Sequence, residues 1–311
     1  MPTPLQMLSN ALRKAADTLA GDAASTHPVA ASAVPEAAAA ATEAESAPSA
    51  PVRMIDHYTK RAPDAQNTID LFSGEWSSSF PEPFKQLDAG YAPLFEDPRI
   101  EWATSTLGGC EGQRVLELGP LESGHTWLLR RLGASSVTAI ESNSRAYLRC
   151  LVVKELMQLQ GTQTLYGDFL EYLRPCTEHF DLCLASGVLY HMVNPAELIG
   201  LIAKVSDRAI IWTHYYDQAL LEQEPTNHYR LTEPTTGSYE GFESPLYRQN
   251  YGHSLANPAF CGSSNEFSNW MTRADILNCL RHFGLTEIEI GWEEPGHPHG
   301  PAFTVAAARP A

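Results

Sequence analysis

The chain has 311 residues, and its 21 Lys and Arg against 37 Asp and Glu give a formal net charge of −16 at pH 7. The length gives room for one large domain or two small ones. The acidic balance argues against a general nucleic-acid-binding protein, although local basic patches remain possible. No apolar stretch is long enough to span a bilayer. Six cysteines without a C-x-x-C spacing indicate reduced thiols in a cytoplasmic protein.

Residues 1–50 are expected to form a disordered tail. Residues 21–51 are almost entirely Ala, Pro, Ser, Thr and Glu, with scarcely anything to bury. Ahead of them, apolar side chains share one helical face: Leu5, Leu8, Leu12, Ala15 and Leu19. This face fits a marginal free helix, which we favour because short helices are weak without tertiary contacts, or a helix that docks on a partner.

Residues 51–110 bring aromatic side chains back and are expected to form an N-terminal cap. Prolines at 81, 83, 93 and 98 forbid long helices in this part of the chain. We expect Trp76 to be a core residue of the cap, with a role at the ligand as the less favoured alternative.

Residues 111–213 alternate strands and helices in the βα order of a parallel sheet. A strand at 114–118 enters a glycine turn and a helix, and strands at 136–140, 162–166 and 180–184 follow. Acidic or hydroxyl side chains stand where these four strands end: Glu117, Glu141, Asp168 and Ser186. Carboxyl strand ends form the edge where open α/β sheets bind ligands, so the pattern predicts a nucleoside-binding Rossmann-like domain.

The fifth strand is expected at 209–213, and the last helix begins near Thr272 and stops at Gly284. Strands at 286–292 and 302–308 form a final hairpin around a turn with His297 and His299, which we expect to be solvated rather than metal-binding. The core therefore covers 111–213 and 271–311. Residues 214–270 are long, poorly periodic and aromatic, so we expect a substrate lid without regular structure.

The strand ends resemble those of class I S-adenosylmethionine-dependent methyltransferases over roughly residues 111–309. The resemblance implies an α/β, Rossmann-like, seven-stranded and mostly parallel sheet closed by the antiparallel hairpin, with an N-terminal cap and an inserted lid. It implies S-adenosyl-L-methionine as cofactor, with the glycine turn facing the methionine part, the second acid holding the ribose and the third reading the adenine. Carried over, the expected cofactor-binding residues are Glu117, Gly119, Gly124, Glu141, Ser142, Asp168 and Phe169.

The segment 186–191 is especially similar to the enzymes that carboxymethylate a hydroxyuridine at the tRNA wobble position. In those enzymes the residues that match Ser186 and Tyr190 contact the cofactor. Two departures stand in the glycine turn, where Leu121 and Ser123 replace glycines of the usual pattern. Their loss makes NAD unlikely because a pyrophosphate needs close backbone approach, and the chain has no P-loop.

Methyl transfer mainly requires that the nucleophile be held about 3–3.5 Å from the methyl carbon, with a base only where the nucleophile carries a tightly held proton. The candidates for catalysis at the strand ends are His191, His214 and Tyr215. His191 has the alternative role of capping the helix that begins after Asn194. No carboxylate cluster indicates a metal.

These observations leave three functions open. The first is a methyltransferase for a small-molecule hydroxyl, amine or carbon, which fits the acidic charge and the aromatic lid. The second is an enzyme similar to the tRNA wobble-uridine carboxymethyltransferases, which needs a basic tRNA-binding face. The third is a scaffold that binds the cofactor without turnover. The acceptor, the choice between S-adenosylmethionine and a carboxylated form, and the oligomeric state are not set by the sequence.

Overall fold

A computed structural model describes residues 58–223, 234–252, 255 and 262–310. The expected tail at 1–50 and its helical face lie outside the described residues. So do the first residues of the cap and, within the lid, residues 224–233, 253–254 and 256–261. In the part of the chain that the structure describes, no helix has the length and apolar character needed to cross a membrane.

A seven-stranded sheet organises the chain. Its strands are β1 Arg114–Leu118, β2 Ser136–Glu141, β3 Thr162–Tyr166, β4 Leu182–Ser186, β5 Arg208–His214, β9 Glu287–Glu294 and β10 Ala302–Ala308. Across the sheet they lie in the order β3-β2-β1-β4-β5-β10-β9. The first five are parallel, whereas β10 is antiparallel to both β5 and β9. The predicted mostly parallel sheet with a C-terminal antiparallel hairpin is therefore confirmed. The strand order reverses between β1 and β4, where doubly wound folds place their ligands.

Helices connect the strands and begin where the sequence supplies caps. Their bounds are α1 Ala65–Ile69, α2 Pro98–Thr106, α3 Gly124–Arg131, α4 Ser144–Leu156, α5 Phe169–Leu173, α6 Pro195–Val205, α7 Gln218–Leu221 and α8 Arg273–His282. The Asn143 side chain caps α4 by accepting from the backbone of Arg145 and Ala146, and Thr272 caps α8 in the same way. Proline at the first position starts α6, as predicted, but Asn194 makes no side-chain cap there.

Two apolar layers cover the two faces of the sheet, and β5 shows how alternation divides its side chains between them. Ile211 and the following Tyr215 pack with α6 and α8, whereas Ile210 packs with α2 and α3. Side chains in a strand point alternately to opposite faces. Consequently Trp212 and His214 lie on the opposite face from Tyr215.

The cap shares a small apolar core with α4, and this core holds Trp76 at 7% exposure. The Trp76 indole N–H donates to the carbonyl of Ile69 at 2.8 Å, so the prediction of a core tryptophan is confirmed. Buried Glu122 of the glycine turn fastens the cap, since its two carboxylate oxygens accept from the backbone N–H groups of Ser77 and Ser78 at 2.8 and 2.9 Å. The cap is therefore tied directly to the turn that follows β1.

Much of the inserted segment has regular structure, and our expectation of none is wrong for its described part. The strands β6 Thr235–Tyr239, β7 Phe242–Asn250 and β8 Phe267–Trp270 form an antiparallel sheet. Asn269 joins this sheet to the core, because its backbone N–H and its side-chain amide donate to the carbonyls of Met192 and Val193 at 2.8 and 2.6 Å. The small sheet is thus held against the segment that follows β4.

Candidate active site at the carboxyl ends of the strands

The glycine turn after β1 has a left-handed backbone conformation even at the positions where leucine and serine replace the glycines of the usual pattern. Gly119, Leu121 and Ser123 have φ angles of 67°, 55° and 60°. A left-handed conformation costs a residue with a side chain about 1–2 kcal/mol, so the turn holds Leu121 and Ser123 in a strained shape. At Gly119 a Cβ would come within 2.5 Å of Val188 Cγ1, and this position requires glycine for that contact too. Gly124 begins α3, and a Cβ there would meet Leu94 at 3.0 Å.

Glu117 lies at the end of β1 with 1% exposure. Its Oε2 accepts a short 2.5 Å hydrogen bond from the Thr126 hydroxyl, and its Oε1 has no hydrogen-bond partner among the described residues. Burial raises the pKa of Glu117 to about 7. A carboxyl with one buried, unpaired oxygen beside the glycine turn suits a cationic or N–H-bearing ligand group.

Glu141 ends β2 and is buried beside the same turn. One of its oxygens accepts from the backbone N–H of Leu121 at 3.2 Å and the other from that of Asn143 at 2.8 Å. Burial raises the pKa of Glu141, and these backbone donors oppose the shift. The Ser142 backbone N–H is a third donor to this carboxylate. An ionised carboxylate has about four acceptor sites, so Glu141 retains an acceptor site for a ribose hydroxyl. Ser142 follows it and is exposed.

Asp168 and Phe169 follow β3 and have different surroundings. The exposed Asp168 caps α5, because its Oδ1 accepts from the backbone N–H of Leu170 at 2.7 Å. Phe169 is 9% exposed and belongs to the apolar layer formed with α6. Only Asp168 therefore presents a polar side chain at this strand end, and its second oxygen remains as an acceptor.

The ends of β4 and β5 carry a different kind of site, which we call the histidine–aromatic cluster. Its members are Tyr190, His191, Trp212, His214, Trp270 and His297. His214 stacks on Trp270 at 5.4 Å between ring centroids with an interplanar angle of 8°, and Tyr190 meets His214 edge-on at 4.6 Å. Tyr190 follows Ser186 and the left-handed Gly187, so the segment after β4 delivers it to this cluster.

The hydrogen bond of His214 fixes its tautomer. Its Nδ1 lies 2.9 Å from the carbonyl oxygen of Gly300, which can only accept, so Nδ1 carries the proton. Burial and the neighbouring His297 and His299 hold the pKa of His214 well below its usual range. A neutral imidazole protonated at Nδ1 has an unprotonated Nε2, which is an acceptor for a proton. His214 has the state that a general base requires.

His191 contacts the inserted segment. Its Nδ1 lies 2.7 Å from the hydroxyl of Tyr251, which follows β7. Burial lowers the pKa of His191 to about 3 and raises that of Tyr251 to about 12, so both are neutral at physiological pH. The structure therefore brings His191 and His214 together around Tyr190. It does not bring Tyr215 to them, because this side chain lies across the sheet and packs against Phe303.

The hairpin histidines are not solvated as we expected. His297 is 8% exposed, and its ring centroid lies 4.8 Å from that of His214. The turn between β9 and β10 therefore reaches over the end of β5. In the described part of the chain no group of three or more His, Cys, Asp or Glu side chains has an arrangement that could hold a metal ion.

Sequence reasoning missed a buried ion pair beside this site. Arg99 and Asp97 are 2% and 0% exposed, and the Asp97 carboxylate also lies 3.0 Å from Nε2 of His125. Arg99 opposes the effect of burial and holds the pKa of Asp97 well below its usual range. The Asp-Pro sequence at 97–98 signals the start of α2, but no local pattern shows that Arg99 turns back onto its own cap.

No family model matches the chain. A curated tRNA U34 carboxymethyltransferase from Chromohalobacter salexigens is 31% identical over 93 residues, which are 29% of this chain and only 28% of that protein. An S-adenosylmethionine-dependent methyltransferase from Mesorhizobium loti is 16% identical, with a TM-score of 0.47 over 70% of this chain and 100% of that one.

A solved structure with greater similarity in shape is the N-terminal domain of EvdMO1, crystallised in the presence of SAH and D-fucose. It is 20% identical and has a TM-score of 0.59 over 79% of this chain and 95% of that chain. Similarity at this level of identity speaks for the fold and not for the ligand. The chain therefore has the α/β fold of the S-adenosylmethionine-dependent methyltransferases.

Proposed function

We propose that this protein is an S-adenosylmethionine-dependent methyltransferase that methylates a hydroxyl group of a small-molecule acceptor. The observation that carries the proposal is Glu141, a buried carboxylate that ends β2 and binds the backbone of the glycine turn. Its position beside the reversal of strand order is where this fold places a nucleoside.

The residues of the first three strand ends fit the cofactor. Glu141 would accept from the ribose hydroxyls, and Asp168 from the adenine amino group. Glu117, with its unpaired Oε1, would face the charged end of the methionine part. When bound, the cofactor supplies an electrophilic methyl group. What remains for the protein is to position the acceptor and to receive a proton.

The neutral His214 supports a hydroxyl acceptor. An alcohol becomes far more acidic as its oxygen bonds to the methyl carbon, so a base with a low pKa is sufficient to take the proton. The unprotonated Nε2 of His214 would receive it, while the Gly300 carbonyl holds the ring in place. Trp270 stacks on His214 and Trp212 meets it edge-on, and aromatic rings of this kind suit the face of a sugar or another flat apolar scaffold.

The tRNA wobble-uridine activity is the second candidate, and the 31% identity to a tRNA U34 carboxymethyltransferase favours it. The charge balance opposes it, since the 37 acidic residues outnumber the 21 basic ones and a tRNA requires several phosphate contacts. We rank it below the small-molecule activity for that reason.

Calorimetry with SAH tests the proposal on the intact protein. We expect binding by the wild type and a loss of about 5- to 100-fold in Glu141→Gln, because ribose hydroxyls lose a charged acceptor. The exposed Glu155 on α4 provides the matched control, Glu155→Gln, which should bind like the wild type. A folded wild-type protein that does not bind SAH would overturn the proposal.

The acceptor is sought by incubating the protein with labelled S-adenosylmethionine and panels of sugars, sugar-bearing metabolites and tRNA. We expect labelled small molecules and no tight binding to tRNA. Methylated or carboxymethylated tRNA, together with affinity that falls steeply as salt rises, would instead establish the second candidate.

A further inference from the structure

Arg99 is a buried cation whose hydrogen bonds use only part of its guanidinium group. It stands in the first turn of α2, where its Nε and Nη2 donate to the Asp97 carboxylate at 2.9 and 2.6 Å. Nη1 is also buried but makes no hydrogen bond with any described residue. A buried charged donor without a partner destabilises the folded protein. Nη1 is therefore a charged donor that the described residues leave unused.

Arg99 lies beside the histidine–aromatic cluster. Its guanidinium carbon lies 4.8 Å from the centroid of the Trp212 ring, and that ring contacts Tyr190 and His214 in the histidine–aromatic cluster. On the other side, Asp97 reaches His125 in the first turn of α3, directly after the glycine turn. Arg99 thus lies between the glycine turn and the acceptor half of the site.

Carboxylates surround Arg99, and two of them, Asp97 and Glu294, act on its guanidinium group electrostatically. The strand ends on the cofactor side carry the carboxyl groups of Glu117, Glu141 and Asp168. A second buried guanidinium, that of Arg149, lies between the carboxylates of Glu75 and Glu122 at 3.2 and 3.4 Å. Within the described residues, both Arg99 Nη1 and Arg149 Nε are buried without a hydrogen bond, but Arg149 Nε lies 3.4 Å from the Glu122 carboxylate, so Arg99 keeps the nitrogen for a ligand.

We infer that Arg99 binds a carboxylate of the ligand through Nη1, and that this carboxylate belongs to the amino-acid end of the cofactor. The inference rests on the proposed function. Asp97 and His125 hold the guanidinium in position, and its planar group matches the geometry of a carboxylate. A carboxylate on the acceptor, or the second carboxylate of a carboxylated cofactor, could form the same hydrogen bond with Arg99. The choice of ligands in the experiment separates these sources from the amino-acid end of the cofactor.

The experiment compares SAH with its decarboxylated analogue, which keeps the nucleoside, the sulfur and the amine. We expect the wild type to bind SAH about 10- to 100-fold more tightly, the effect of one charge-assisted hydrogen bond. In Arg99→Lys, the single ammonium group is used by Asp97, and the preference should disappear while the analogue binds as before. Arg131→Gln changes an exposed arginine at the end of α3 and should keep the preference.

A second variant covers failure of the first to fold. Asp97→Asn combined with Arg99→Gln removes both buried charges together, and circular dichroism melting verifies that it is folded. A preference for SAH that persists in either folded variant would overturn the inference, as would its absence in the wild type. The wild type could instead prefer a carboxylated cofactor over S-adenosylmethionine and show no preference for SAH over its analogue. If the variants lose that preference, Arg99 binds the transferred group, and the inference as stated is overturned. If the wild type binds none of these ligands, the proposed function has failed and not this inference alone.

Discussion

The two halves of the carboxyl edge of the sheet are built in different ways. On the side of β1 to β3, single polar residues stand at strand ends, and Glu117, Glu141 and Asp168 each bond to a residue within the next turn or helix. On the side of β4 and β5, the histidine–aromatic cluster collects side chains from β5, β8, the segment after β4 and the final hairpin. The first side, the proposed cofactor half, is thus assembled by local chain geometry, whereas the second side, the proposed acceptor half, depends on tertiary packing.

Burial shifts the pKa values of the ionisable groups in the two halves in opposite directions. It raises the pKa of the acid Glu117 to about 7 and lowers that of the base His214 well below its usual range. Both shifts favour the neutral form. The end of β1 therefore holds a carboxyl that is neutral below about pH 7, and the end of β5 holds a neutral imidazole.

The largest expected effect separates the two halves by function. His214→Asn keeps a side-chain N–H for the Gly300 carbonyl but has no nitrogen base at the position of Nε2. We expect methyl transfer to fall by about 10²- to 10⁴-fold, the usual contribution of a general base, while SAH affinity stays unchanged. Turnover with labelled S-adenosylmethionine and calorimetry with SAH measure the two quantities.

The control for this variant is His282→Gln, which changes a histidine on α8 that hydrogen-bonds the Glu240 carbonyl on the surface. It should retain wild-type turnover. Equal losses of turnover and SAH affinity in His214→Asn would show that the two halves are not separable. Unchanged turnover would remove His214 from the reaction.

The second prediction concerns stability and pH. The folded-state pKa of Glu117 is about 7 and its ordinary value is 4.5, so its contribution to stability is complete below pH 4.5 and is lost as pH rises to 7. Subtracting the free energy of unfolding of the wild type from that of Glu117→Gln gives a difference at each pH. This difference should be about 2–3 kcal/mol more favourable to the variant at pH 8 than at pH 5. Urea denaturation at the two pH values gives this difference.

His214→Asn should show the opposite sign in the same measurement. The pKa of His214 is lowered in the folded state, so its contribution is present above its ordinary value of 6.5 and is lost as pH falls. The free energy of unfolding of the variant, compared with that of the wild type, should therefore be more favourable at pH 5 than at pH 8. The same sign for both variants, or no pH dependence in either difference, would contradict the contrast drawn from burial.

The local half of the site is the half that sequence reasoning located. Glu141 and Asp168 were placed correctly at strand ends because an apolar run followed by a carboxylate is visible in consecutive residues. The glycine turn was harder, since Leu121 and Ser123 conceal a backbone that still has left-handed φ angles of 55° and 60°. Their conformation is imposed by surrounding contacts and leaves no trace in composition.

The acceptor half was only partly predictable. His191 and His214 were selected because they follow strands, but Trp270 and His297 join them from distant parts of the chain. Tyr215 follows His214 in sequence, and strand alternation sends it to the opposite face. The hairpin of β6 and β7 was missed, although Glu240 and Gly241 with φ angles of 43° and 83° form the two-residue turn that glycine at the second position allows.

The smallest expected effect asks whether Asp168 belongs to the site or only to its helix. Asparagine caps helices about as well as aspartate, whereas alanine costs about 1 kcal/mol. Asp168→Asn should therefore leave the urea midpoint nearly unchanged, and Asp168→Ala should lower it. If the second carboxylate oxygen accepts from the adenine amino group, both variants should lose about fivefold in SAH affinity. The asparagine amide keeps one acceptor for the cap but lacks the charge, and alanine lacks both. A loss of stability in the alanine variant, with SAH affinity unchanged in both, would make Asp168 a helix cap and nothing more. The cofactor half would then consist of Glu117 and Glu141, the two carboxyl groups that are buried at the strand ends.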